Sequence, residues 1–125
     1  MKKLTLAAAA LILFAATTHA QSKPDLTDPE IASVAVVANQ IDIGYAEIAA
    51  KKSKNADILQ FAATMKKDHN AVIEQAAALA KKLGVTPKDN AVSRKLLADA
   101  AQTKKMLNGK SGKAFDKEYI ENEVA

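Results

Sequence analysis

Apolar residues recur at intervals of three and four positions along most of the chain after residue 28, and this spacing predicts helices. A first helix is predicted over residues 29–52. Its start is either Asp28 as the cap with Pro29 at the first helical position, or a capping box formed by Thr27 and Glu30. Asp42 lies at the edge of the apolar stripe and Glu47 points away from it. The predicted inward residues are Ile31, Val34, Ala38, Ile41, Tyr45 and Ile48.

A second helix is predicted over residues 56–83, after a short turn at residues 53–55, and Gly84 is a typical residue for its end. His69 falls within the apolar stripe of this helix and Asp68 lies at its margin. The predicted inward residues are Ile58, Phe61, Met65, Val72, Ala76, Leu79 and Leu83, the spacing of a core-facing helix.

Two further helices are predicted, which makes the fold class all-α. After a loop at residues 85–88, Asp89 or Asn90 can cap a third helix that ends at Asn108-Gly109. Its inward residues are predicted to be Val92, Leu96, Ala100, Thr103 and Leu107. A fourth helix begins at Ser111 or Gly112, carries Phe115, Tyr119 and Val124, and reaches Ala125 without an ending signal, so we expect this helix to be incomplete.

The first 20 residues have the pattern of a signal peptide. Lys2 and Lys3 precede an apolar run over residues 4–16, and small residues stand at the positions that a signal peptidase reads before cleavage after Ala20. The run is shorter than a membrane-spanning helix requires. We therefore expect export to a bacterial periplasm, with secretion or outer-membrane association as the alternative, and a short flexible leader at residues 21–26.

Composition narrows the possible functions further. The chain has no cysteine, which excludes disulfides and thiol chemistry, and loss of Lys2 and Lys3 lowers the net charge from +4 to +2. Four lysine pairs occur, but no aromatic residues alternate with them, so nucleic-acid binding is not expected. The pairs are Lys51-Lys52, Lys66-Lys67, Lys81-Lys82 and Lys104-Lys105.

No enzyme class follows from the residues. Gly109-Lys110-Ser111 lacks the earlier glycine and the preceding strand of a phosphate-binding loop. No nucleophile with a paired base is evident, and a lone histidine cannot form a triad. We therefore expect neither a catalytic residue nor a bound organic cofactor.

Three blocks in the sequence resemble the domain of unknown function 4142 family: an acidic position near Asp42, a central block in the second helix, and a glycine-aromatic block near the end. This family is bacterial and exported, with some members labelled outer membrane proteins. The resemblance covers residues 27–125 and implies a ferritin-like, antiparallel four-helix bundle whose last helix continues further, typically to another histidine. The motif residues are Phe61, Met65, Asp68, His69, Gly112, Phe115, Asp116 and Tyr119.

The resemblance raises the question of a metal site, since such bundles hold metals between facing helices. The usual glutamate-x-x-histidine pair is missing, because Lys66 stands three residues before His69 and the other histidine, His19, leaves with the signal peptide. Asp42, His69 and Glu123 could still converge on a divalent ion. Alternatively, His69 packs as a neutral ring that is hydrogen-bonded to Asp42 or Tyr119.

Three functional hypotheses remain open. The first is a non-enzymatic periplasmic bundle with a binding or envelope-associated role, the second is a ferritin-like binder of a divalent metal, and the third is lysine-mediated attachment to anionic envelope surfaces. A stripe left exposed by a short fourth helix would also favour self-association.

Overall fold

The computed structural model describes residues 25–124, and this part of the chain forms four helices and no strand. The helices are α1 (Asp28–Lys52), α2 (Ala56–Leu83), α3 (Ala91–Asn108) and α4 (Gly112–Glu123). The all-α fold is confirmed, and the boundaries of α1, α2 and α3 and the start of α4 lie within one residue of their predicted positions, whereas α4 ends at Glu123 and not at Ala125 as predicted. The expected signal peptide at residues 1–20 and most of the leader lie outside the described residues. Among residues 25–124, no helix is both long enough and apolar enough to cross a membrane.

Local capping explains why the helices begin where they do. Of the two predicted starts of α1, the structure has the capping box of Thr27 and Glu30. The Glu30 carboxylate accepts hydrogen bonds from the Thr27 N–H at 3.0 Å and the Thr27 hydroxyl at 2.7 Å. Asn90, rather than Asp89, caps α3. Gly84 ends α2 in the left-handed conformation, with φ of 67°, which glycine adopts without strain.

α1 is the central helix, since it packs against each of the other three. Two contacts fix its orientation relative to α3: the Lys88 N–H donates to the Pro29 carbonyl at 2.8 Å, and the Lys52 ammonium donates to the Asn108 carbonyl at 2.7 Å. The beginnings of α1 and α3 therefore lie together, as do their ends, and these two helices run parallel. α2 and α4 run in the opposite direction.

The bundle has two unlike halves, which we name by their residues. The closed half comprises all of α4 with residues 42–52, 56–69 and 100–108 of the other helices. It contains most of the buried core, in which Tyr119 meets the Phe61 ring edge-on at 6.0 Å and the Phe115 ring nearly parallel at 6.2 Å. The largest fully buried side chains are Tyr119, Phe115 and Leu107.

The open half comprises residues 28–41, 70–83 and 91–99, and several predictions of inward residues are wrong there. Ile31 is 51% exposed, Val72 45%, Leu79 56% and Leu83 64%, and Val124 beyond the end of α4 is 73% exposed. The inward face here differs from the predicted stripes, because the buried residues include Ser33, Ala80 and Ser93, which none of those stripes contained. Among the described residues α2 packs mainly against α1, so much of its surface in this half stays exposed.

Candidate functional site

A cavity of about 390 Å³ lies beside the last turn of α4, at the boundary between the closed and open halves. All four helices contribute side chains to it, and the predicted trio of Asp42, His69 and Glu123 lines its wall. Its lining residues are Ala38, Ile41, Asp42, Tyr45, Met65, His69, Leu96, Asp99, Ala100, Thr103, Asn122 and Glu123.

His69 is held at this cavity by α1. Its Nδ1 lies 2.7 Å from Asn39 Oδ1, while the Asn39 amide nitrogen donates to the Ala35 carbonyl at 2.7 Å. Since Asn39 Oδ1 can only accept, Nδ1 is the donor in this bond. Nε2 lies 3.6 Å from Asp42 Oδ2. The ring is therefore fixed between an amide on one side and a carboxylate on the other.

Asn39 is the functional residue that sequence reasoning missed. Of the two partners expected for His69, Asp42 lies beside the ring, whereas the Tyr119 hydroxyl has no hydrogen-bond partner, so that alternative is wrong. Asn39 stands one helical turn before Asp42 in a segment that is otherwise mostly apolar. Its position one turn from Asp42 was the available signal, although the polar residue Gln40 lies directly beside it.

Glu123 carries the least satisfied charge at the site. Its Oε1 is buried without a hydrogen-bond partner. Burial, together with the negative charge of Asp42, raises the pKa of Glu123 to about 7, and a hydrogen bond from Asn122 offsets part of this rise. Burial also raises the pKa of Asp42, against the opposing effect of His69. The two carboxylates thus destabilise each other's charged forms.

Two tyrosines stand behind these carboxylates. Tyr119 is fully buried and its hydroxyl has no partner; burial, then the charges of Glu123 and Asp42, raise its pKa. The pKa of Tyr45 is also raised, mainly by burial, while a hydrogen bond from Thr103 acts in the opposite direction. Both phenols therefore lie within the electrostatic field of the acidic side chains.

The other family-motif residues divide between structure and surface. Phe61 and Phe115 pack in the core, Met65 lines the cavity, and Asp68 is exposed and does not line it. Gly112 begins α4 with φ of 56°, a conformation that glycine favours. Asp116 faces a separate cavity at the far end of the closed half, and its Oδ1 is buried without a partner.

Asp42, His69 and Glu123 line the same cavity, but they are not arranged as a metal centre. Within residues 25–124, no three histidine, cysteine or acidic side chains come close enough to ligate one ion. Glu47, which faces away as predicted, pairs with Lys66 at 2.9 Å on the surface. The cavity therefore presents hydrogen-bond acceptors and the negative charges of Asp42, Asp99 and Glu123.

No curated protein and no solved structure matches the chain. A family model does match it over residues 14–125, under the description domain of unknown function (DUF4142). Since this match spans nearly the whole sequence, the chain belongs to the DUF4142 family.

Proposed function

We propose that this chain is an exported, non-enzymatic helical-bundle protein that binds a cation in the His69 cavity. The observation that carries the proposal is the Glu123 carboxylate, whose Oε1 is buried without a partner beside the second carboxylate, Asp42. Buried charges in proteins are normally paired or hydrogen-bonded. A bound cation would supply the missing partner.

The electrostatics favour a cation over a neutral or anionic ligand. Asp42, Asp99 and Glu123 all line the cavity, and no lysine or arginine lies among its lining residues. The raised pKa values of Asp42 and Glu123 show that each ionises at a free-energy cost in the folded protein. A positive charge between them would remove part of that cost, and this gain would appear as binding affinity.

The remaining site chemistry supports binding rather than catalysis. His69 Nδ1 bonds to the neutral Asn39 amide instead of the carboxylate of a triad, and no paired nucleophile adjoins its Nε2. Export is supported by the sequence pattern of Lys2, Lys3 and the apolar run at residues 4–16. The proposed setting is therefore the periplasm, where the cavity would take up a cation present in that compartment.

Calorimetric titration of the purified protein at neutral pH tests this function. The probes are Zn²⁺, Mn²⁺ and butane-1,4-diamine, and the variants are Glu123→Gln and, as a matched control on the exposed face of the same helix, Glu121→Gln. We expect one equivalent of at least one probe to bind the unmodified protein and the control. Glu123→Gln should weaken that binding about tenfold or more.

Two results would overturn the proposal. One is the absence of binding by every probe to the unmodified protein. The other is equal weakening in Glu121→Gln and Glu123→Gln, which would show that any attraction arises from overall charge rather than from the cavity.

A further inference from the structure

We propose that the cation is a short aliphatic diamine or polyamine, with one ammonium group at Glu123 and Asp42, its methylene chain along the apolar wall, and a second ammonium group at Asp99. This inference rests on the proposed function, because it names the ligand class for the same cavity. It follows from the shape of the cavity, the placement of three carboxylates and the unused acceptors around them.

The cavity is larger and more apolar than a bare metal ion requires. Its volume of about 390 Å³ falls in the range of small-molecule pockets. A metal ion would leave much of the apolar wall without a contact, whereas a chain of four or five methylene groups would cover it. The apolar wall consists of Ala38, Ile41, Met65, Leu96 and Ala100.

The acceptors beside Glu123 match an ammonium group. An alkylammonium has three N–H donors and no acceptor. Glu123 Oε1 has no partner, and the Asp42 carboxylate lines the same cavity. Hydrogen bonds from an ammonium group are about 2.9 Å long, against about 2.1 Å for metal–oxygen bonds, so an ammonium group tolerates a wider spacing of its acceptors than a metal ion does. No such metal-ligating trio exists within residues 25–124.

Tyr119 provides an independent sign of a missing partner. Its side chain is fully buried, and its hydroxyl makes no hydrogen bond although it lies within the influence of both Glu123 and Asp42. A buried hydroxyl without a partner is costly. Tyr119 is not among the residues that line the cavity, so its hydroxyl marks an unsatisfied polar group behind the cavity wall and is not a contact for the ligand.

Asp99 supplies the second end of the site. Asp99 lines the cavity together with Asp42 and Glu123, and its side chain is 62% exposed at the rim. Asp99 already pairs with an ammonium group, that of Lys95 at 2.6 Å, on the exposed rim. Such an exposed pair contributes little stability, so a ligand ammonium can replace Lys95 at small cost.

Titration calorimetry with butane-1,4-diamine, spermidine, n-butylamine and Zn²⁺ tests the ligand class. We expect the diamine to bind with one-to-one stoichiometry, about tenfold or more tightly than n-butylamine. Asp99→Asn should remove this preference by weakening binding of the diamine much more than binding of n-butylamine. Asp57→Asn, in the exposed first turn of α2, serves as the control and should retain the preference.

The outcomes separate this inference from the proposed function. Binding of Zn²⁺ without binding of either polyamine would overturn the diamine assignment and leave the cation site standing. Equal affinity for butane-1,4-diamine and n-butylamine would overturn the second ammonium position. Failure of all four probes would overturn this inference, and failure of Mn²⁺ as well would overturn the proposed function.

Discussion

The closed and open halves of the bundle share α1, α2 and α3, but only the closed half also contains α4, and the two halves bury their apolar side chains to very different extents. Phe115 and Tyr119 are fully buried in the closed half, whereas Leu79 and Leu83 in the open half are more than half exposed. The exposure differs because a further helix covers the apolar side chains in the closed half only. Helical phase determines which way a side chain points, and a neighbouring helix determines whether it is buried.

The open half is joined by polar contacts instead of a large apolar core. Asn90 accepts hydrogen bonds from the N–H groups of Val92 and Ser93, and its amide donates to the Glu30 carbonyl at 3.1 Å. One buried side chain thus both caps α3 and connects it to α1. The acidic cavity lies between this polar junction and the aromatic core.

Truncating a side chain should cost much more stability in the closed half than in the open half. We expect Phe115→Ala to lower the free energy of unfolding by about 3–5 kcal/mol, because it leaves a cavity among fully buried rings. Leu83→Ala should change it by less than about 1 kcal/mol, since that side chain is 64% exposed. Urea denaturation followed by circular dichroism measures both, and equal losses would contradict the distinction between the halves.

The polar junction should be the most sensitive point of the open half. Asn90→Ala removes the α3 cap and leaves the Glu30 carbonyl without its donor, so we expect a loss of about 1–2 kcal/mol. Asn55→Ala is the matched control, because Asn55 accepts only one capping bond, from Asp57, and is exposed. A larger loss for Asn55→Ala in the same denaturation experiment would show that the junction is unimportant.

Glu123 should make stability depend on pH at the boundary between the halves. Its pKa is about 7 in the folded protein and 4.5 ordinarily, so between these values the unfolded chain releases a proton that the folded chain retains. The stability present below pH 4.5 is therefore lost as pH rises to about 7. Allowing for partial exposure, we expect a fall of about 1–2 kcal/mol.

Glu123→Gln isolates this contribution. Its free energy of unfolding, measured in urea from pH 4.5 to 8, should fall less over that range than the free energy of the unmodified protein. Glu121→Gln should retain the full decrease. Identical pH profiles for the unmodified protein and Glu123→Gln would show that the carboxylate is solvated.

The smallest expected effect comes from the tyrosine hydroxyls. Tyr119→Phe removes a buried group without a partner, so we expect stability to remain unchanged or to rise by up to about 1 kcal/mol. Tyr45→Phe removes a hydroxyl that receives a hydrogen bond from Thr103, and stability should fall by about 1 kcal/mol. Thermal unfolding of the two variants compares them directly, and a loss for Tyr119→Phe would reveal a partner for its hydroxyl.

Local signals explain why the helices could be predicted from the sequence. Asn90, Gly84 and the Thr27-Glu30 pair act within one turn of a helix end, so the residues that determine each boundary are adjacent in the chain. The sequence also predicted that Asp42, His69 and Glu123 could converge, because the helical phase places them on or beside the inward faces of their helices.

Long-range register explains what could not be predicted. The partnership of His69 with Asn39 depends on how far α2 is displaced along α1, and a small shift would bring another residue to the ring. Exposure of Ile31 and Leu79 depends on which helix packs over each face of α1 and α2, and α2 packs mainly against α1. Neither quantity is encoded in the periodicity of a single helix.

The most direct test of cation binding is the titration of the Glu123 carboxyl carbon by nuclear magnetic resonance, with and without saturating butane-1,4-diamine. We expect the pKa of Glu123 to be about 7 in the free protein. Binding of the diamine should lower this pKa by at least about one unit, since a neighbouring positive charge favours the carboxylate. A pKa near 4.5 in the free protein, or one that the diamine does not change, would contradict the proposal.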